Sequence, residues 1–165
     1  MTVDASLIGK STGKVRVVVE RGPVAIFAAA VKDSSPIFRD PRAAEEAGLP
    51  AIPVPPTFPF VMEHWGRFPE IQPEPDGTEP FSPFARVIGP LLANGGMILH
   101  GEQEFEYKRP VLVGDVLVGE GVLADLYEKE SNGRTMTFMV VETNWRDDRT
   151  GDPVVTSRFN LIHRA

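Results

Sequence analysis

From Gly96 to His163 the chain carries four strand-length segments of alternating polarity, set apart by turn signals. No other feature of its 165 residues constrains the fold as tightly. In residues 96–108, Met97, Leu99, Gly101, Gln103, Phe105 and Tyr107 alternate with Ile98, His100, Glu102, Glu104, Glu106 and Lys108. One face is largely apolar and the other strongly charged, which predicts a half-buried strand. Residues 115–128, 134–145 and 154–163 read as three more. Asn132-Gly133 between the second and third is a hairpin signal. The expectation is a four-stranded antiparallel meander.

The first half mixes periods. Residues 14–20 are dense in β-branched valine, with Val15, Val17 and Val19 on one side, and predict a strand. Gly22 and Pro23 then suit the N-cap and first position of a helix ending near Asp33, with Ile26, Phe27, Ala30 and Val31 on its buried face. Asp40 can cap and Pro41 can open a short helix over 41–47, which Gly48 closes before Pro50. Thr57 can cap a third, in which Phe58, Val61, Met62 and Trp65 form a buried stripe that Gly66 ends.

Residues 68–90 carry Pro69, Pro73, Pro75, Pro80, Pro83 and Pro90. They predict a long loop that covers part of the molecule, with Phe81, Phe84, Val87 and Ile88 packing down. The order of these elements predicts an α+β domain over residues 5–165. A curved antiparallel sheet wrapped around an apolar helix, the hotdog arrangement, fits that order, as do other α+β sandwiches.

Charge and composition narrow the function. A net charge of −6 gives no overall basic footprint for nucleic acid or an anionic membrane. The chain has no cysteine, so disulfides, thiol nucleophiles and thiolate metal sites are excluded. The first thirteen residues have neither the basic nor the apolar region of a signal peptide. Val24–Val31, the longest apolar run, is too short to span a bilayer. The expected location is the cytoplasm.

Candidate chemistry gathers around Asp33. A carboxylate after an apolar helix is either a turn residue or an acid that orients water. General acid–base work wants a second titratable group, yet Ser34 and Ser35 are poor bases and Phe38 transfers no proton. His64, His100 and His163 have no metal-ligand spacing and are expected at surface, solvated and terminal positions. There is no P-loop and no G-x-G-x-x-G, so no cofactor is expected, and Gly95-Gly96 reads as a loop. Lys108 and Arg109, at a strand end, are the candidate cations for a ligand phosphate.

Three segments, "IFAAAVKDSSPIFRDPRAAEEAG", "VPPTF" and "EQEFEYKRPVLVGDVL", occur in an order that resembles the MaoC-like (R)-specific enoyl-thioester hydratases and dehydratases. The similarity is to the FAS1-like dehydratase branch and covers roughly residues 5 to 163. Catalytic members read D-x-N-P-I-H followed by x-D. Here the run is Asp33-Ser34-Ser35-Pro36-Ile37-Phe38-Arg39-Asp40. Asp33 matches the catalytic acid, Asp40 the later acid, Ser35 replaces the asparagine and Phe38 the histidine.

The resemblance implies a site in which Asp and His activate water for addition to an enoyl double bond. It also implies that backbone N–H groups around Pro56 and Thr57, beside Phe58, polarise the thioester carbonyl. With Phe38 in place of histidine, it implies a subunit that lines an acyl channel beside a catalytic MaoC-like chain. The substrate would be an acyl-CoA or acyl-carrier-protein thioester, and the assembly a homodimer or heterodimer. A non-catalytic acyl-CoA-binding homodimer and a hotdog thioesterase are the alternatives.

Overall fold

The computed structural model describes residues 3–75 and 77–165. Met1 and Thr2, in the stretch read for a signal peptide, and Asp76, in the proline-rich stretch, lie outside the described residues. Strands β1 (Ser11–Val18), β2 (Met97–Tyr107), β3 (Val116–Ser131), β4 (Arg134–Asp147) and β5 (Pro153–Arg164) form one antiparallel sheet in the order β1-β3-β4-β5-β2.

Strands β3, β4 and β5 follow the expected meander, and Asn132 and Gly133 both take positive φ in the β3–β4 hairpin. The expectation fails at β2, which pairs with β5 at the far edge rather than with β3. Its exit segment is no hairpin turn. Val54 N–H donates to Val111 O and Val113 N–H to Ile52 O, so the chain crosses to the residue 52–54 strap instead of folding back.

Strand β2 also corrects the single alternating face. Its pairing slips between His100↔Leu161 and Gln103↔Phe159, leaving Gly101 and Glu102 opposite Asn160 alone. Such a bulge reverses which side chains point inward. Ile98 faces the concave side before it, and Gln103, Phe105 and Tyr107 are the more buried positions after it. Met97 and Leu99 are left exposed.

Helix α1 (Arg21–Ala30) starts one residue before the expected cap, with Glu20 at the N-cap. Val24 and Ala28 are its buried residues, and Phe27 packs beside them. Ile26 and Val31, expected inside, are 63% and 49% exposed. The run is apolar on every side, so its period selects no face, and the small Ala28 allows the close approach. Helix α2 (Pro41–Glu46) follows expectation. Asp40 accepts from Arg42 N–H, and Gly48 leaves with φ +80°.

The central segment is a 3₁₀ turn, Phe58–Phe60, and one turn of helix, α3 (Met62–Trp65). Pro59 disfavours helical geometry at Phe58, which breaks the longer helix expected, and Thr57 makes no side-chain cap. Phe58 and Met62 are buried, whereas Trp65 is 39% exposed, at the edge of a ring cluster with Phe27 and Phe58. Within the proline-rich stretch Val87 and Ile88 are buried on a five-residue π-helix, Phe84–Ile88, while Phe84 points outward. Helix α4 (Gly89–Ala93) continues from it. Among the described residues no helix is long and apolar enough to cross a membrane.

The architecture is the hotdog fold. Two apolar clusters fill its concave side. One joins Val17, Val24, Phe58, Met62, Leu117, Trp145 and Val155; the other joins Ile88, Leu123, Leu126 and Met139. Each large side chain so covered contributes about 1.5–3 kcal/mol.

Candidate active site

Asp33 is placed by the end of α1. Lys32, at φ +59°, takes the left-handed position that stops the helix, with Lys32 N–H on Ala29 O and Asp33 N–H on Ala28 O. The Asp33 carboxylate then accepts from Ser35 N–H at 2.9 Å, and Arg39 donates to the Asp33 carbonyl. Pro36–Phe38 forms a 3₁₀ turn, Asp40 caps α2, and Arg21 donates to Arg39 O at 2.9 Å. Both aspartates therefore have turn-building work. Phe38 is 7% exposed, so the position that matches the family's histidine holds a covered aromatic ring.

Residues 54–58 form the second part. Pro56 and Thr57 are exposed, whereas Phe58 is 2% exposed and belongs to the core, with its ring edge-to-face on Phe27 at 5.4 Å. Tyr107 Oη donates to Pro56 O at 2.8 Å and clamps the strap to β2. Burial pushes the Tyr107 phenol well above its ordinary ionisation range. An open groove of about 400 Å³ runs along Val54, Pro56, Tyr107 and Val111. Lys108 and Arg109 also border it, but neither is a spare cation. Lys108 pairs with Glu106, and Arg109 bridges Asp115 at 2.6 Å and Asp147 at 3.1 Å.

Among the described residues no hydrogen bond or ion pair joins a histidine to Asp33's turn. His64 is exposed. His100, expected on the solvated face, sits before the bulge and packs its ring on Phe159 at 4.7 Å and Phe60 at 5.5 Å. His163 is buried, with Nε2 2.9 Å from Gly95 O. Among the described residues no three His, Asp or Glu side chains gather as metal ligands.

A second space escaped the reading of the sequence. A chamber of about 220 Å³ lies between Pro59, Phe60, Glu63 and His64 on one side and Gln103, Thr143, Trp145 and Ser157 of the concave sheet on the other. Its signal was present as polar residues at inward positions of β4 and β5. Gln103 also stood on the face expected to be buried, where a lone amide among apolar neighbours drew no separate reading.

Comparison with known proteins bears on this arrangement. Residues 6–157 match the family profile described as the FAS1-like, dehydratase domain region. A UPF0336 protein of Thermobifida fusca is 31% identical over 147 residues, covering 89% of this chain and 84% of that one. A UPF0336 protein of Saccharopolyspora erythraea is 30% identical over 166 residues, covering 100% and 94%. Among solved structures, a chain of the HadBC (3R-hydroxyacyl-ACP dehydratase) complex of Mycobacterium tuberculosis superposes with TM-score 0.65 at 20% identity, covering 98% of this chain and 99% of that one. A chain of the ChsH1–ChsH2 complex from the same organism gives 0.68 at 20%, covering 92% and 83%. The (R)-hydratase of A. caviae gives 0.56 at 19%, covering 93% and 94%. These structural likenesses establish the shared fold, and the profile establishes the lineage: the chain belongs to the FAS1-like dehydratase-region family.

Proposed function

We propose that this chain is the non-catalytic subunit of a cytoplasmic (R)-specific enoyl- or 3-hydroxyacyl-thioester hydratase or dehydratase, shaping the acyl channel beside a MaoC-like chain that supplies Asp and His. The observation that carries the reading is the covered phenyl ring of Phe38 at the family's histidine position, beside an Asp33 held in its own turn. An acid without its proton-transfer partner lacks a contribution of about 10²–10⁴-fold. A buried aromatic ring at that place suits the wall of an apolar channel.

The thioester carbonyl has one candidate donor on the strap. Pro56 has no N–H, and the Thr57 N–H has no partner among the described residues. The short turn at Phe58–Phe60 offers little dipole, so Thr57 N–H replaces the helix terminus expected from the sequence.

The edges of the sheet support a paired assembly. Strand β1 is covered: Gln72 accepts from Arg16 N–H and donates to Arg16 O, and Val18 N–H donates to Gly66 O. Strand β2, the opposite edge, runs for eleven residues and exposes Met97 and Leu99. An open edge of that length favours pairing with another chain. Two of the related structures named above, the HadBC and ChsH1–ChsH2 chains, come from complexes of two different subunits.

Sedimentation of the chain alone and mixed with an Asp- and His-bearing MaoC-like chain tests the assembly. The reading predicts a one-to-one complex that displaces any self-pairing. A chain that stays monomeric at micromolar concentration, alone and in the mixture, contradicts it. Self-pairing that resists the partner favours the acyl-binding homodimer instead.

A further inference from the structure

Between the two apolar ends of the concave face, polar side chains stand among Phe105, Val141 and Phe159. Thr143 and Ser157 sit directly opposite each other on β4 and β5, and Gln103 stands at the next inward position on β2. These three wall the chamber opposite Phe60, Glu63 and His64. In the middle of a hotdog sheet, where apolar contact with the central segment would stabilise most, the sequence places hydroxyls and an amide.

Two polar atoms there are dry and unpaired. Trp145 is 2% exposed, and its Nε1 has no hydrogen-bond partner. The six-membered ring of the indole lies over Gly119 of β3, where a Cβ would fall 2.6 Å from it. That packing turns the N–H edge away from β3. Gln103 Oε1 is likewise buried without a partner. Its orientation is fixed, because Nε2 donates to Arg158 O at 3.1 Å and a carbonyl accepts only from the amine end. Buried polar atoms without partners are rare, and each one calls for an explanation.

From the strand positions, Trp145 and Gln103 lie four residues along and two strands across from each other, roughly 16 Å between Cα atoms. Their polar ends are therefore separated, and one oxygen cannot satisfy both. Trp145 Nε1 needs an acceptor. Gln103 Oε1 needs a donor, which a hydroxyl supplies and a keto group does not. A plain alkyl tail answers neither.

Resting on the proposed function, we infer that this chamber receives the distal part of an oxygenated acyl thioester, a chain or ring bearing hydroxyl groups, rather than a plain alkyl chain. Trp145 donates to one ligand oxygen and Gln103 accepts from a ligand hydroxyl, with Ser157 and Thr143 between them. The chamber thus sets substrate class, and the groove at Pro56 and Tyr107 takes the thioester end.

Calorimetric titration tests this with matched CoA thioesters of stepwise increasing acyl length, each with and without a terminal hydroxyl. They are added to the complete chain with its partner, to Trp145→Phe and to Gln103→Leu. At the chain length that reaches the chamber, the hydroxylated thioester is expected to bind about 5- to 10-fold more tightly, the worth of one net hydrogen bond. The gap at the length that reaches Gln103 should close in Gln103→Leu and persist in Trp145→Phe, whose indole faces a different ligand oxygen. Should Trp145→Phe fail to fold, Gln103→Leu decides alone. Equal binding of plain and hydroxylated thioesters at every length, or a gap that survives Gln103→Leu, overturns the inference and leaves the proposed function standing. Binding of neither series overturns both.

Discussion

Asp33 accepts the backbone N–H of Ser35 at 2.9 Å, across the turn that ends at Phe38. One oxygen of the only acid matching the family's catalytic position is thus spent on holding its own loop. The ring that follows is covered and cannot exchange a proton. The same local sequence that resembles an active site folds as a stable turn.

Replacing that ring tests how far the turn still has the geometry of a site. Phe38→His puts an imidazole into a covered position and is expected to destabilise the chain by about 1–3 kcal/mol, read from the shift in denaturant midpoint. Hydration gained by this variant should disappear in the double variant with Asp33→Asn. Gain that is indifferent to Asp33 would mean the two positions no longer face a common substrate.

Tyr107 gives the strap a pH dependence. Its folded ionisation lies above the unfolded value because burial penalises the phenolate. The stability it contributes is therefore fully present below about pH 10, the unfolded value, and is lost as pH rises through the folded one. Denaturant titrations in alkaline buffer should show this loss in the native chain and less of it in Tyr107→Phe. At neutral pH the variant should lose about 1 kcal/mol, the net worth of the bond to Pro56 O.

Gly66 anchors the central segment to β1. A Cβ there would fall 2.4 Å from the Val18 carbonyl oxygen, and that oxygen belongs to backbone that cannot swing aside. Gly66→Ala is expected to cost about 1–3 kcal/mol, as overpacking does. Urea melts with unchanged slope and a lower midpoint would bear this out; an unchanged midpoint would not.

Where residues act through local geometry, the sequence was readable. Asp40, Pro41 and Gly48 bound α2 as their cap preferences require, and Asn132-Gly133 makes its hairpin. Where tertiary context decides, it was not. The run from Val24 to Val31 is apolar all round, so only packing could choose Val24 and Ala28 over Ile26 and Val31. One extra residue in β2 reversed the inward set ahead of Gln103 and concealed the inward position of Ile98. The strap was legible as "VPPTF", but its clamp by Tyr107, fifty-one residues away, was not. Asp33 and Phe38 were legible only through resemblance, since nothing in their spacing distinguishes a disabled site from a turn.

The most direct measurement is the rate of enoyl-thioester loss by the isolated chain, by its mixture with an Asp- and His-bearing MaoC-like chain, and by both with Asp33→Asn. The account predicts that the isolated chain hydrates at least about 10²-fold more slowly than the mixture, the lower end of what a missing acid–base partner removes. It predicts that Asp33→Asn leaves the mixture's rate essentially unchanged. Robust turnover by the isolated chain, abolished by Asp33→Asn, would contradict it and make Asp33 the working acid.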